Sequence, residues 1–380
     1  MTDTRYIDTD EELVKFCTEI RDVAFIAVDT EFAREKTYFP KLCLVQVQGN
    51  DQIACIDPLA IKDFEPLLGL FRDESIVKVL HSVSQDMEVF LHTFNCLPKP
   101  VYDSQIAASL TGMGEQVGYA KLVESMLGVQ LDKSHTRTDW SRRPLDAAQL
   151  QYAADDVRYL AELYPIQLQQ LTEQGRIAWL KSDFEAIIEE QRYRPDPENA
   201  WRRVKGYKRL RGVELAILKY LAEYREQQAI KADRPRRFII NDDLLLDLAR
   251  AKPKTINDIE RRRGFEGAIK RHGQSFLDCA QKGFDLPKEQ WPDVSKGKPL
   301  SANQEVVTDI LMALLKQQAK KNEVSVGSMA NRKDVESLVR GERDGSLLSG
   351  WRYELAGKVL IEFLEGGSSL SIVDNQLQIN

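Results

Sequence analysis

The acidic residues best placed to do chemistry fall in three short stretches. Asp29 and Glu31 lie in FIAVDTEF (25–32), Asp86 in HSVSQDMEVFL (81–91), and Asp155 and Asp156 in YAADDVRYL (152–160). Residues two apart on a strand share one face, so Asp29 and Glu31 point together. Beside a buried strand that arrangement is costly unless a cation or hydrogen-bond donors compensate. At about 100° per residue, Gln149, Tyr152, Asp156, Leu160 and Leu163 form one stripe of a helix, and Gln151, Asp155, Arg158 and Glu162 a wholly polar one. Asp156 is therefore the acid aimed inward, Asp155 joins the solvent-facing set, and Tyr152 neighbours Asp156 one turn back. Asp29, Glu31, Asp86 and Asp156 offer only oxygen, a donor set suited to hard divalent cations such as Mg²⁺ or Mn²⁺. Two such ions roughly 3.5–4 Å apart hold the attacking and leaving oxygens of a phosphodiester during cleavage. A phenol beside one ligand can position the attacking water.

The elements that must carry these groups are legible in outline. FIAVDTEF reads as a central strand, LCLVQVQ (42–48) and QIACIDP (52–58) as a hairpin turning at GND (49–51), and IVKVLH (76–81) as a fourth strand. Thr9 with Glu12 predicts a capping-box start for a first helix, and Ser82 with Gln85 predicts a second one ahead of Asp86. VYDSQIAASL reads as a short strand running into a helix, and the pattern is helical from there to about residue 190. In an α/β sheet the carboxyl ends of strands and the following helix starts share one edge, so Asp86 can approach Asp29 and Glu31. YRPDPENAW (193–201) marks a polar, proline-rich boundary, and beyond it only helical periodicity is found. A second break at 285–300 separates two helical blocks, each with a capped helix followed by a basic turn (241–263 and 329–343), which suggests a duplication.

The 380 residues suffice for two or three domains. No run of eighteen apolar residues occurs, and the acidic start lacks the basic and apolar regions of a signal peptide. Cys17, Cys43, Cys55, Cys96 and Cys279 are scattered and form no C-x-x-C pair, so a reduced, cytoplasmic setting is expected. With four scattered histidines and no clustered thiols, a structural zinc site is not expected. The net charge of −6 hides an asymmetry: residues 201–290 carry 22 Lys/Arg against 13 Asp/Glu, a balance of +9 in an otherwise acidic chain. Such a block suits a polyanionic partner.

In order and spacing these motifs resemble the DEDD exonuclease superfamily, in its tyrosine-bearing branch. DTEF with the following YFPKLCLVQVQ, HSVSQDMEVFL and YAADDVRYL carry that likeness. The connecting LDKSHTRTDWSRRPLDAAQLQYAADDV resembles the ribonuclease D family specifically, and the trailing blocks resemble helicase-and-RNase-D C-terminal (HRDC) domains, the second through ANRKDVESLV and GWRYELAG. The resemblance implies an α/β catalytic domain, an RNase H-like mixed sheet with flanking helices, followed by two small all-α helical bundles. The expected bounds are 1–195, 205–288 and 298–372. It also implies a metal-dependent 3′→5′ exoribonuclease trimming the 3′ ends of tRNA precursors and other small structured RNAs. Asp29, Glu31, Asp86 and Asp156 become ligands of two metal ions, and Tyr152 orients the nucleophilic water. His81 is left out of the site as a satisfied histidine at a strand end.

RNA is the expected partner, with no membrane, no obligate protein partner and a monomeric chain. Candidate RNA contacts are Phe32 after the first motif, and Lys133, Arg137, Arg142 and Arg143 around Trp140. Arg202, Arg203 and Tyr207, beside Trp201 in WRRVKGYKRLRG, are the candidates in the basic block, where cations attract the backbone and aromatics can stack on bases. The near-neutral last block is expected to close against the catalytic domain and restrict access to a free 3′ end. Two alternatives fit the same residues: a DNA-directed 3′→5′ exonuclease with the same carboxylates, and a non-catalytic RNA-binding scaffold on the same fold. A scaffold has no need of four converging acids.

Overall fold

The computed structural model describes residues 4–379 except 133–137, 263, 265, 295–298 and 375. Contacts divide the chain into two compact units, one of residues 1–32, 42–192 and 299–380 and one of residues 33–41 and 193–298.

In the first unit a six-stranded sheet has the order β1-β4-β3-β2-β5-β6. Its strands are β1 (Thr4–Ile7), β2 (Phe25–Ala33), β3 (Lys41–Gly49), β4 (Gln52–Ile56), β5 (Val77–Leu80) and β6 (Val101–Asp103). Asn50 and Asp51, at φ 48° and 58°, form the two-residue turn of the β3–β4 hairpin, a conformation that Asn and Asp tolerate. β2 pairs in parallel with β5, and β5 with β6, so those strands share one carboxyl edge. Helices α1 (Asp10–Glu19), α2 (Glu65–Arg72), α3 (Ser84–Phe94), α4 (Ser104–Ser109), α5 (Tyr119–Leu127), α6 (Ala147–Glu173) and α7 (Ile177–Ile187) complete the domain. Thr9 caps α1 as expected, accepting from the Glu12 N–H at 3.4 Å.

Two local expectations are corrected. β1, parallel to β4 at the sheet edge, was not foreseen, because the four residues TRYI carry too little alternation to show a strand. The Ser82–Gln85 capping box does not form. Ser82 takes a positive φ of 58° and α3 starts at Ser84 without a side-chain cap of its own. Instead the buried Asp103 carboxylate, arriving on β6, accepts from the N–H groups of Ser82 at 3.1 Å and Val83 at 3.0 Å. It also caps α4 through Gln105 and Ile106, so one acid ties two helix starts to one strand end.

The last helical block belongs to this first unit. It comprises α13 (Ala302–Lys321), α14 (Val326–Met329), α15 (Arg332–Val339) and a helix running from α16 (Gly350–Arg352) through a π-turn at Tyr353–Gly357 into α17 (Lys358–Leu364). Leu311, Leu314, Leu315 and Trp351 share one buried cluster with Val79, Leu110 and Leu171 of the α/β domain. Arg176 donates to the carbonyls of Leu110 (2.6 Å), Asn322 (2.5 Å) and Glu323 (3.3 Å), gathering the ends of α4 and α13. A short antiparallel hairpin, β7 (Leu370–Val373) and β8 (Gln376–Ile379), corrects the expectation of helix alone beyond the boundary.

The second unit is built around α8 (Val213–Lys231), α9 (Arg236–Ile239), α10 (Asp242–Ala251), α11 (Ile256–Glu260) and α12 (Glu266–Asp285), with Leu218, Leu221, Leu245, Leu248 and Phe276 buried. Its element order repeats in the last block at a constant offset of 90 residues: Lys231 and Lys321 end the long helices, Arg236 and Val326 open the short ones. Asn241 and Asn331 cap the next helices through their side chains. The same offset matches buried Leu221 with Leu311, Leu245 with Val335 and Leu248 with Leu338, which supports the duplication.

Candidate active site

β2 presents Asp29 and Glu31, and α6 presents Asp156. Among the described residues these three are the cluster suited to a metal, with one carboxylate oxygen from each lying within 4.8 Å of the others. Asp86, in the first turn of α3, lies outside that set of mutual distances. Its Oδ1 accepts a short hydrogen bond from the Thr30 hydroxyl. Thr30, which lies between the two acids in sequence, was not foreseen as a partner of the site.

The electrostatics bind the four acids into one group. Burial lifts the Asp29 carboxyl well above the usual carboxylate range, reinforced by the charges of Asp156, Asp86 and Glu31. Burial, then Asp156 and Asp86, push Glu31 up to about 8. Asp86 is raised to about 7 by burial, against the opposing Thr30 hydrogen bond. Burial and the neighbouring Asp155 charge raise Asp156 to about 7. Desolvated acids at this spacing resist carrying four negative charges unaided. Their all-oxygen donors and surplus charge fit a hard divalent cation.

The two adjacent aspartates are separated as helical phase predicts. Asp155 pairs with Arg158 and accepts from Gln151 Nε2 at 2.8 Å, whereas Asp156 joins Asp29 and Glu31. Tyr152 is half-buried one turn before Asp156, its ring 6.1 Å from Trp140. Tyr152, Gln151, Asp155, Asp156 and Leu131 line a cavity of about 140 Å³, open space beside the phenol and the carboxylate.

Sequence reading missed the groups that hold this turn of α6. The Tyr119 hydroxyl donates to the Asp156 carbonyl at 2.5 Å and the Asp155 carbonyl at 3.1 Å. Tyr119 packs on His81, with ring centroids 5.5 Å apart. His81 Nε2 donates to the Val117 carbonyl at 3.1 Å, so Nδ1 accepts from Ser104 Oγ at 2.8 Å; the histidine is satisfied within the fold. No local period signals such contacts, since Tyr119 and Asp156 are 37 residues apart.

The expected RNA contacts fare differently. Phe32 is half-buried near the end of β2, and Arg142 is well exposed, 3.1 Å from Asp139. Lys133 and Arg137 lie outside the described residues. Arg143 is corrected to a structural role. Its Nε and Nη2 grip Asp57 at 2.6 and 2.7 Å, and its remaining donors go to the carbonyls of Cys43, Trp140 and Arg142. All five N–H groups are thereby used, leaving none for a phosphate. In the second unit Trp201 is 3% exposed and cannot stack on a base. Arg202 is exposed with its guanidinium 4.6 Å from the Trp201 ring, Arg203 is exposed 3.9 Å from Glu226, and Tyr207 is half-buried against Trp201.

Comparison with known proteins places the whole chain in a family. Residues 4–172 match the sequence model of a family described as 3′-5′ exonuclease, and residues 214–279 match that of the HRDC domain. The chain is 39% identical to a ribonuclease D of Zymomonas mobilis, over 95% of this chain and 94% of that one. It is 38% identical to a ribonuclease D of Sphingobium indicum, over 98% and 97%. The crystal structure of Escherichia coli RNase D, described as an exoribonuclease involved in structured RNA processing, matches with a TM-score of 0.85 at 32% identity, covering 96% of this chain and 99% of that one. With the acidic cluster at its sheet edge and homology along nearly its whole length, the chain belongs to the ribonuclease D family of 3′→5′ exoribonucleases.

Proposed function

We infer that the protein hydrolyses phosphodiester bonds one at a time from RNA 3′ ends, releasing nucleoside 5′-monophosphates. The convergence of Asp29, Glu31 and Asp156, electrostatically joined to Asp86, carries this reading. The four carboxylates are the proposed ligands of two divalent ions, Mg²⁺ or Mn²⁺. Bound there, the ions would supply positive charge to the entering and leaving oxygens of the scissile phosphate. The chain's own groups do the positioning. Tyr152, facing the open space beside Asp156, accepts the role of orienting the entering water through its hydroxyl. Tyr119 fixes the backbone of Asp156, and Thr30 fixes the Asp86 carboxylate, so neither acid must be ordered during the reaction. The proposed substrates are tRNA precursors and small structured RNAs, by analogy with the described role of the Escherichia coli relative. The proposal extends to a monomer working in the cytoplasm, and five cysteines that form no disulfide support a reducing compartment. Among the described residues no helix is long and apolar enough to cross a membrane.

The direct test is incubation with RNA and DNA labelled at the 5′ end, with divalent cation and then with EDTA. A ladder shortening from the RNA 3′ end and abolished by EDTA is expected. Internal cuts, indifference to chelation, or preference for DNA would each overturn the reading.

Stability gives an independent readout of the metal. The clustered carboxyls are raised above their unfolded values, so in the metal-free protein their contribution is fully present below about pH 4. It is lost as pH rises through about 7 to 8, the range to which Glu31, Asp86 and Asp156 are pushed. A cation that replaces those protons must therefore stabilise more strongly as pH rises. A hundredfold excess over its dissociation constant contributes about 2.7 kcal/mol. Mn²⁺ or Mg²⁺ should raise the melting temperature clearly at pH 8.5 and much less at pH 6. An equal rise at both would mean that the cation binds elsewhere.

A further inference from the structure

The second unit holds a groove of about 670 Å³ that the catalytic reading does not use. One wall is the segment after β2, with Arg34, Lys36 and Tyr38; the other is the start of α9, with Arg236, Arg237 and Phe238. Its lining carries four cationic side chains and one acid, Glu35.

The walls are fastened rather than loosely apposed. Asp233 Oδ1 accepts from the backbone N–H groups of Tyr38 at 3.0 Å and Phe39 at 3.1 Å. Beneath them Glu226 is completely buried, where it accepts from the Tyr38 hydroxyl and from Arg236 Nε and Nη2 at 2.5 and 2.6 Å. The Arg236 guanidinium lies 4.8 Å from the centre of the Tyr38 ring. A buried acid bonded to both walls sets their spacing, and Arg236 is spent in holding it. Arg34, Lys36 and Arg237 are exposed along the groove. Phe238, 51% exposed, is the only exposed Phe, Tyr or Trp among the described residues, and Arg237 lies 5.3 Å from its ring. An aromatic face held in water amid cations is the chemistry of a single-stranded nucleic acid site, where phosphates meet charge and bases stack.

Chain connectivity ties the groove to the proposed reaction. Arg34 follows Glu31 by three residues, which bounds their Cα separation at about 11 Å even for extended chain. We propose that this groove binds the single-stranded RNA leading to the scissile 3′ end, with Lys36 and Arg237 on phosphates and Phe238 stacked on a base. The proposal rests on the exoribonuclease reading, and the test keeps the two apart.

Binding of a labelled oligoadenylate is measured by anisotropy in EDTA at several salt concentrations, and hydrolysis of the dinucleotide pApA is measured with Mn²⁺. The double variant Lys36→Ala/Arg237→Ala should weaken oligoadenylate binding more than tenfold and flatten the plot of log affinity against log salt by about 1.4, two contacts at roughly 0.7 each. Phe238→Ala should weaken binding at least about fivefold with the slope unchanged, because stacking releases no counterions. Lys36→Arg/Arg237→Lys should retain both affinity and slope. In every variant, hydrolysis of pApA should match the parent, since the dinucleotide is too short to fill the groove. Losses below twofold in both alanine variants, or pApA hydrolysis falling in step with binding, would overturn the groove assignment. A parent protein that cleaves neither substrate would instead overturn the exoribonuclease reading.

Discussion

Asp156→Asn is expected to lower RNA hydrolysis by more than about 100-fold, while Asp155→Asn stays near the parent rate. Loss of an outer-shell partner of a metal ligand already costs roughly 10–100-fold in metal affinity or activity. Removing the charge of a proposed ligand should exceed that. Asp155 is engaged with Arg158 and Gln151 rather than with the metal-suited cluster, and both members of that ion pair are half-buried. A fold-wide explanation for the Asp156 loss can be separated out. The raised Asp156 carboxyl means that its ionised form is disfavoured in the metal-free folded protein, so the neutral amide should stabilise the metal-free protein at pH 8. Activity would thus collapse as the metal-free melting temperature rises. Equal losses of activity from the two substitutions would defeat the helical-phase assignment, and a fall in melting temperature would point to misfolding instead.

Trp351→Ala should cost about 3–5 kcal/mol, the range for deleting a large aromatic from a packed core. That is a large part of a typical stability of roughly 5–15 kcal/mol. Trp351 is 8% exposed and stacks on Trp179 of α7 with centroids 4.9 Å apart and planes 9° from parallel. Arg352 lies 4.5 Å from the Trp351 ring, donates to the Ser328 carbonyl at 2.8 Å, and makes two 3.0 Å bonds to Asp183. The substitution therefore opens a void where the last helical block meets the catalytic domain. Urea unfolding followed by far-ultraviolet circular dichroism reads the effect, and a loss below about 1 kcal/mol would show that the block packs only weakly. The shared core also alters how deletions must be interpreted. Removing residues 299–380 strips apolar cover from Leu110, Leu171 and Leu180, so a change in end selectivity would be mixed with destabilisation.

Much of the candidate site was readable because it rests on short periods. Alternation along β2 sets Asp29 and Glu31 on one face, and the 100° step of α6 separates Asp156 from Asp155. The Asn50–Asp51 turn and the Thr9 cap are likewise local chemistry, decided within four residues. Where those rules had competition they failed: Ser82 and Gln85 match a capping box, but Asp103, from another strand, satisfies the same helix start with a charged acceptor. Arg143 and Trp201 look like RNA contacts in a basic, aromatic stretch, yet Asp57 and the helical core claim them first.

The identities of the four acids, the phase of Tyr152 and Asp156, and the charge asymmetry of the chain were set by residue type and spacing alone. The Tyr119 bond behind Asp156, the saturation of Arg143, the union of the last block with the α/β core and the fastened walls of the basic groove were decided by the tertiary fold. Each depends on which distant partner reaches a given donor or face first. A polar group or apolar surface buried on folding must find some partner, and local periodicity states that need without naming which residue meets it.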